Sequence, residues 1–198
     1  MKKIFALLLA AVMLLSFAAC GNFKILPTQP QPTETQPEET LPPRGNQVGD
    51  LCYGFDLAVA DENGVTGQII DPSATGKVTI LNFWGTWCNP CVNELPHMEQ
   101  IAKDYSEDVV VIAVHSQQDK KSMTKFLQEK YPDSPIIFAY DEDVEGGYNG
   151  EYYMLLEAPL LYPYSLILDA NGVITEIHTG AVDYETFQKA VENAGAKK

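Results

Sequence analysis

Residues 78–105 read VTILNFWGTWCNPCVNELPHMEQIAKDY and decide the fold of the chain. Residues 78–84 form a nearly continuous run of β-branched and apolar side chains, which is typical of a strand covered on both faces. From residue 90 to residue 105, apolar side chains recur mostly every three or four positions, which predicts an amphipathic helix. Cys88 and Cys91 stand where the strand gives way to the helix.

A second buried strand follows this helix. Residues 109–114 read VVVIAV, so the two strands and the helix between them are predicted to form a βαβ unit with parallel strands. A further helix is predicted over residues 120–131, a strand over residues 136–140 and a last helix over residues 184–193. This alternation of strands and helices favours the α/β class.

Two β-hairpins are predicted around this unit. Residues 55–59 and 66–70 flank a polar turn near the start of the domain. Residues 165–178 hold two apolar strands around Asn171-Gly172, which is one of the strongest short hairpin signals. The chain is therefore predicted to form a central mixed β-sheet flanked by helices on both faces, with an N-terminal β-hairpin.

Charge and cysteine content exclude two classes of protein. The chain has 198 residues with 13 Lys and Arg against 27 Asp and Glu, which gives a formal net charge of −14 at pH 7. A field of this sign repels phosphate backbones, so nucleic acid is not an expected partner. Four cysteines are also too few for a disulfide-dense scaffold in a chain of this length.

Residues 1–19 have the layout of an export signal. Two lysines precede an apolar stretch, and two alanines lead into Cys20. The stretch from residue 4 to residue 19 has 16 positions, whereas a helix needs about 20 apolar residues to cross a bilayer. Residues 1–19 are therefore predicted to be a signal peptide that is removed.

Residues 20–47 are predicted to be a tether in front of a domain at residues 48–198. Residues 27–44 contain six prolines among repeated Thr, Gln and Glu. This composition cannot pack a core and favours an extended chain, which over residues 22–46 reaches at most about 75 to 80 Å.

The spacing of Cys88 and Cys91 lets both thiols reach one point and form a small-loop disulfide. At a helix N-terminus, free N–H groups and the helix dipole favour the thiolate, so Cys88 is the predicted nucleophile and Cys91 the resolving thiol. A zinc half-site is one alternative, although zinc normally takes four ligands and the sequence offers no second pair. A purely structural disulfide is the other alternative.

Residues 82–96, NFWGTWCNPCVNELP, resemble the active-site stretch of TlpA/ResA-type thioredoxin-like oxidoreductases. The resemblance extends from residues 48–50 to Pro163 and residues 165–172, and so covers about 150 residues. It implies a thioredoxin-like fold for the domain. It also implies that the thiols carry the chemistry without a cofactor or a metal.

The same resemblance assigns further site residues. Pro163 corresponds to the cis-proline beside the disulfide, which shapes the groove. Asn82 occupies the position where thioredoxin itself has an acid, so Glu94, one helical turn after Cys91, is the expected proton carrier. The alternative for Glu94 is an ordinary solvated helix residue. The expected substrate groove is formed by Trp87, Asn89, Pro90 and Tyr162.

Residues 16–21, SFAACG, resemble a bacterial lipobox, in which the cysteine is lipidated. Phe17 departs from this pattern, since an aliphatic residue is usual there. Lipidation of Cys20 would anchor the protein to the outer face of the plasma membrane. Plain cleavage and an uncleaved anchor are the alternatives.

Several positions depart from the family pattern. Cys52 is either a small buried side chain or a further redox thiol. Residues 141–162 form an acidic, glycine- and tyrosine-rich insertion, which is either a partner-binding rim or an ordinary surface loop. Tyr162 replaces the Thr or β-branched residue that is usual before the cis-proline. Substrate choice is therefore left open by the sequence.

Histidines do not form a metal-ligand spacing in this sequence. His97, His115 and His178 are each interpreted as surface or strand-end residues. His115 ends the second core strand, at the edge of the sheet where α/β sites gather, so a place near the active site is the alternative interpretation for it.

The predicted function is reduction of disulfides in exported proteins, in cytochrome c maturation or oxidative repair, with electrons from a membrane thiol donor. This direction rests on the resemblance alone. The alternatives are a redox-inert binding lipoprotein and a thiol peroxidase, although a peroxidase places its cysteines farther apart. Copper delivery is a weaker alternative, because related copper-handling proteins space their cysteines by three residues.

Overall fold

The computed structural model describes residues 41–54, 56–116, 120–141 and 161–198. Its strands, in chain order, are β1 (Arg44–Gly45), β2 (Leu51–Cys52), β3 (Leu57–Asp61), β4 (Gly64–Ile70), β5 (Val78–Trp84), β6 (Val109–His115), β7 (Ile137–Tyr140), β8 (Tyr164–Leu168) and β9 (Ile174–Thr179). Its α-helices are α1 (Asn89–Asp104), α2 (Lys120–Lys130) and α3 (Tyr184–Asn193). A short 3-10 helix spans Pro72–Ala74.

Strand β5 lies inside a seven-stranded mixed sheet of order β4-β3-β7-β6-β5-β8-β9. It pairs in parallel with β6 and antiparallel with β8, and β6 pairs in parallel with β7. All seven residues of β5 are buried, which is why its sequence reads as an apolar run rather than an alternation. The predicted parallel βαβ unit and mixed sheet are confirmed.

Two apolar clusters lie on the two sides of this sheet. Side chains of β5 contribute to both clusters. Ile80 and Trp84 belong to the first cluster, and Leu81 and Phe83 belong to the second. Every buried apolar side chain of α1, α2 and α3 belongs to the first cluster. The helix expected on the other face is therefore not among the helices of the described residues.

The two predicted hairpins are also present. Strands β3 and β4 pair antiparallel around a turn at residues 62–63, and β8 and β9 pair antiparallel around the Asn171-Gly172 turn. Gly172 has a φ of 82°, and an added Cβ there would collide with the Ser73 carbonyl, so this turn requires glycine. A small parallel sheet of β1 and β2 precedes them and was not predicted.

Several sequence predictions fall outside the described residues. They concern the signal peptide at residues 1–19, lipidation of Cys20, the tether up to residue 40, and the insertion from residue 142 to residue 160. Within the ranges that the structure does describe, no helix combines the length and the apolar character needed to span a membrane.

Candidate active site

Cys88 and Cys91 form a disulfide at the start of α1. Cys88 is the N-cap residue, with extended backbone angles, and its Sγ accepts a hydrogen bond from the Cys91 backbone N–H at 3.3 Å. Cys88 is 5% exposed and Cys91 1% exposed, so Cys88 is the less buried of the two residues. Helix N–H groups that point at this sulfur favour a thiolate there once the disulfide is reduced.

The loop between β5 and Cys88 is covered by an aromatic side chain. The Trp87 indole lies over Gly85 so closely that an added Cβ at Gly85 would collide with it. The indole is half exposed, and its ring meets the Tyr162 ring edge-on with 5.3 Å between centroids. The Tyr162–Pro163 peptide bond is cis, as the resemblance implies. These contacts place two of the four predicted groove residues, Trp87 and Tyr162, against each other, with Trp87 next to Cys88 in the chain.

Glu94 lies one helical turn after Cys91 and is only 2% exposed. Its Oε1 accepts a hydrogen bond from Asn82 Nδ2 at 2.9 Å, and its Oε2 accepts one from the Val182 backbone N–H at 2.6 Å. Asn82 Nδ2 also donates to Ser165 Oγ at 2.8 Å. Glu94 is therefore a buried, doubly hydrogen-bonded carboxyl group, not a solvated helix residue.

Burial raises the pKa of Glu94 to about 7, because the charged form loses its hydration. The hydrogen bonds from Val182 and Asn82 oppose this rise by stabilising the carboxylate. A carboxyl group with this pKa exchanges protons near neutral pH, which suits a general acid or base.

A pocket of about 490 Å³ opens beside Glu94 and connects the carboxyl group to the surface. Its lining residues from α1 and from the segment before α3 are Pro90, Asn93, Glu94, His97, Ala181, Val182 and Asp183. Pro90 is exposed in the first turn of α1, as is Asn89. Glu94 therefore lies beside an open pocket that is lined in part by polar side chains.

Comparison with known proteins agrees with this geometry. The profile of the Redoxin family matches residues 48–195. The chain belongs to this family. The thioredoxin-like protein YneN of Bacillus subtilis is 32% identical over 151 residues, covering 75% of this chain and 81% of that protein. The thiol-disulfide oxidoreductase ResA of Geobacillus kaustophilus is 31% identical over 139 residues, covering 70% of this chain and 74% of that protein.

Solved structures show the same fold. A thio-disulfide isomerase from Thermus thermophilus is similar with a TM-score of 0.62 and 19% identity, over 77% of this chain and 99% of that one. A DsbE thiol:disulfide interchange protein from Chlorobium tepidum gives a TM-score of 0.58 and 24% identity, over 73% and 99%. The predicted resemblance and thioredoxin-like fold are confirmed, and this Redoxin-family chain is a thiol-disulfide oxidoreductase.

In this Redoxin-family chain, His115 is a strand-end residue, as interpreted from the sequence, and it also contacts the loop before Cys88. The imidazole is fully buried at the end of β6, and its Nε2 accepts a hydrogen bond from the Thr86 backbone N–H at 3.2 Å. Its position at the carboxyl end of a parallel strand was the only sequence signal, because Thr86 is 29 residues away in the chain. His97 lines the pocket beside Glu94, and His178 lies on β9 against Phe187.

Cys52 lies in the second apolar cluster and is fully buried, which agrees with its interpretation as a small core side chain. Burial, with a smaller contribution from Asp71, raises the pKa of its thiol to about 12, and Arg44 opposes this rise. Such a thiol stays protonated and is a poor nucleophile. Among the described residues, no three His, Cys, Asp or Glu side chains are grouped so that they could hold a metal ion.

Proposed function

We propose that the protein is a membrane-tethered, extracytoplasmic thiol-disulfide oxidoreductase that reduces disulfides in exported proteins. The observation that carries the redox activity in this proposal is the Cys88–Cys91 disulfide at a helix N-terminus, one turn from a buried carboxyl group with a pKa of about 7. Cys88 attacks, Cys91 resolves, Glu94 moves protons, and Pro163 shapes the groove.

The reaction begins with both cysteines reduced. The Cys88 thiolate attacks one sulfur of the substrate disulfide, forms a mixed disulfide and expels the other substrate sulfur as a thiolate. Cys88 is suited to this step because it is the less buried of the two cysteines and its sulfur accepts from the Cys91 N–H at the start of α1.

In the second step, Cys91 releases the substrate. Its thiol gives a proton to the Glu94 carboxylate, and the resulting thiolate attacks Cys88 Sγ and expels the second substrate thiolate. Two electrons have then passed to the substrate, and the protein holds the Cys88–Cys91 disulfide. Glu94 returns its proton to solvent or product through the pocket lined by His97 and Asp183.

The protein must then be reduced again by an external dithiol, for which we propose a membrane thiol donor. Support for the location comes from the sequence alone, from the signal-like residues 1–19, the lipobox around Cys20 and the proline-rich tether. An acyl-modified Cys20 would hold the domain near such a donor. The proposed processes are cytochrome c maturation and repair of oxidised exported proteins, as the resemblance implies.

Reduction of insulin disulfides tests the activity. With dithiothreitol as donor, the full chain is expected to accelerate insulin precipitation, and Cys91→Ser is expected to accumulate a mixed disulfide on Cys88. A rate equal to that of dithiothreitol alone would instead identify a redox-inert binding protein. Consumption of hydrogen peroxide faster than of insulin disulfides would identify a thiol peroxidase.

The reduction potential tests the direction. A value near that of thioredoxin, about −270 mV, is expected for a reductase, whereas a value near about −120 mV, as in DsbA, would make the protein an oxidant. For the location, Cys20→Ser is expected to move the protein from the membrane fraction to the soluble fraction in cells, and an unchanged distribution would contradict lipid anchoring.

A further inference from the structure

We propose that His115 is a positioning residue for the attacking thiol: its neutral imidazole holds the loop that presents Trp87 and Cys88. This inference rests on the proposed role of Cys88. It concerns a side chain that stands at the end of a neighbouring strand.

Strand pairing brings His115 to the loop. In the parallel register of β5 and β6, His115 lies opposite Trp84, the last residue of β5. The pairing continues one step farther, because the Ser116 backbone N–H donates to the Trp84 carbonyl at 2.9 Å. The imidazole therefore sits where the chain leaves β5 and enters the loop that leads to Cys88.

The imidazole has a defined place and a defined hydrogen bond. It is fully buried, with the Trp84 ring edge-on at 5.2 Å and the Tyr140 ring edge-on at 6.3 Å between centroids. Its Nε2 accepts from the Thr86 N–H at 3.2 Å. Since an imidazole nitrogen accepts only when it carries no proton, this contact requires the neutral tautomer protonated at Nδ1.

The loop connects the hydrogen-bonded Thr86 amide to the active-site residue Cys88. Gly85 and Trp87 flank Thr86, and the Gly85 carbonyl accepts the Cys88 N–H at 3.0 Å. Fixing the Thr86 amide therefore fixes the peptide units that place Cys88 at the N-cap of α1 and the Trp87 indole against Tyr162. The end of β6 thus contacts the segment that leads to Trp87 and Cys88 through two hydrogen bonds, from the Thr86 N–H to His115 and from the Ser116 N–H to the Trp84 carbonyl.

Two amide substitutions separate this role from simple core packing. In His115→Gln, the side-chain oxygen can occupy the Nε2 position and accept from Thr86, whereas in His115→Asn the oxygen reaches only the Nδ1 position. We expect His115→Asn to lower kcat/KM for insulin reduction by about tenfold, because a small misplacement of a reacting group is costly. His115→Gln is expected to stay within about twofold of the wild type.

The Thr86 amide provides a readout independent of activity. By NMR of the oxidised full chain, its hydrogen exchange is expected to be faster in His115→Asn and close to wild type in His115→Gln. His178→Gln, on β9, serves as the matched histidine control and should change neither readout. Thermal unfolding of each variant shows whether the substitution has lowered the stability of the whole fold.

The outcomes distinguish this proposal from the proposed function. Equal losses of activity in His115→Asn and His115→Gln, or an unchanged Thr86 amide in His115→Asn, would overturn the positioning role. If the wild-type chain itself failed to reduce insulin, the proposed function would fail, and the Thr86 amide would still report whether His115 holds the loop.

Discussion

Two regions of this protein, one around Cys88 and one around Cys52, surround a buried cysteine with different chemical groups. Cys88 and Cys52 are both buried, at 5% and 0% exposure. Cys88 stands at the start of α1, where the Cys91 backbone N–H donates to its sulfur, whereas Cys52 lies in an apolar cluster where burial and Asp71 keep its thiol protonated. Burial alone therefore does not decide reactivity. The polar groups aimed at the sulfur decide it.

Glu94 extends this comparison to a carboxyl group. Burial raises its pKa, as it raises that of the Cys52 thiol, but the hydrogen bonds from Asn82 and Val182 hold the value at about 7. One region thus contains a group that titrates in the physiological range, and the other contains a group that does not.

Substituting Cys88 and Cys52 one at a time should give the largest difference in the rate of insulin reduction. Cys88→Ser is expected to lower the rate of insulin reduction at least about 10³-fold, because the nucleophile is lost. Cys52→Ala should leave the rate within about twofold and lower the free energy of unfolding by about 1 to 2 kcal/mol. Iodoacetamide should label reduced Cys88 in the native protein and leave Cys52 unlabelled. Fast labelling of native Cys52 would contradict the comparison.

Removing the titrating carboxyl should have the next largest effect. Since only the ionised form of Glu94 accepts a proton, the wild-type rate is expected to rise with pH through about 7. Glu94→Gln should lose this inflection and react up to about 100-fold more slowly. Glu99→Gln, on the same helix in an ion pair with Lys103, is the matched control. Identical pH profiles for wild type and Glu94→Gln would contradict the role of Glu94.

The same raised pKa makes stability depend on pH. Because the folded pKa of about 7 lies above the usual value of 4.5, Glu94 binds its proton more tightly in the folded state. Its contribution to stability is therefore complete below pH 4.5 and is lost as the pH rises to about 7, by up to about 3 kcal/mol. Urea unfolding at pH 4 and pH 8 should show Glu94→Gln gaining stability relative to wild type at the higher pH. If the difference in stability between Glu94→Gln and wild type did not change with pH, the raised pKa of Glu94 would be contradicted.

Disturbing the aromatic cover of the active site should have the smallest effect. In Gly85→Ala, the new methyl group meets the Trp87 indole and should displace it from Tyr162. We expect KM for insulin to rise about fivefold, with a smaller change in kcat, since the thiols are untouched. Stopped-flow kinetics with tryptophan fluorescence checks both. An unchanged KM would mean that Trp87 does not contact the substrate.

Local features of the fold could be predicted because they depend on neighbouring residues. The buried run at residues 78–84, the helix after Cys88 and the Asn171-Gly172 hairpin follow from side-chain period and turn chemistry, which act over a few residues. The helix bounds differ from the prediction by one residue, as at Asn89 and Lys130. The short strands β1 and β2 were missed because two residues give no period to detect.

The sequence by itself determined the strand, the two cysteines and the helix that carries them, since spacing alone brings those sulfurs together. Only the tertiary structure decided how the site is tuned. Burial raises the pKa of Glu94, and hydrogen bonds from Val182 and Asn82, which are 88 and 12 residues away, limit that rise. Thr86 meets His115 across 29 residues. Burial and hydrogen bonding between distant segments exist only after the sheet has assembled, so no local pattern encodes them.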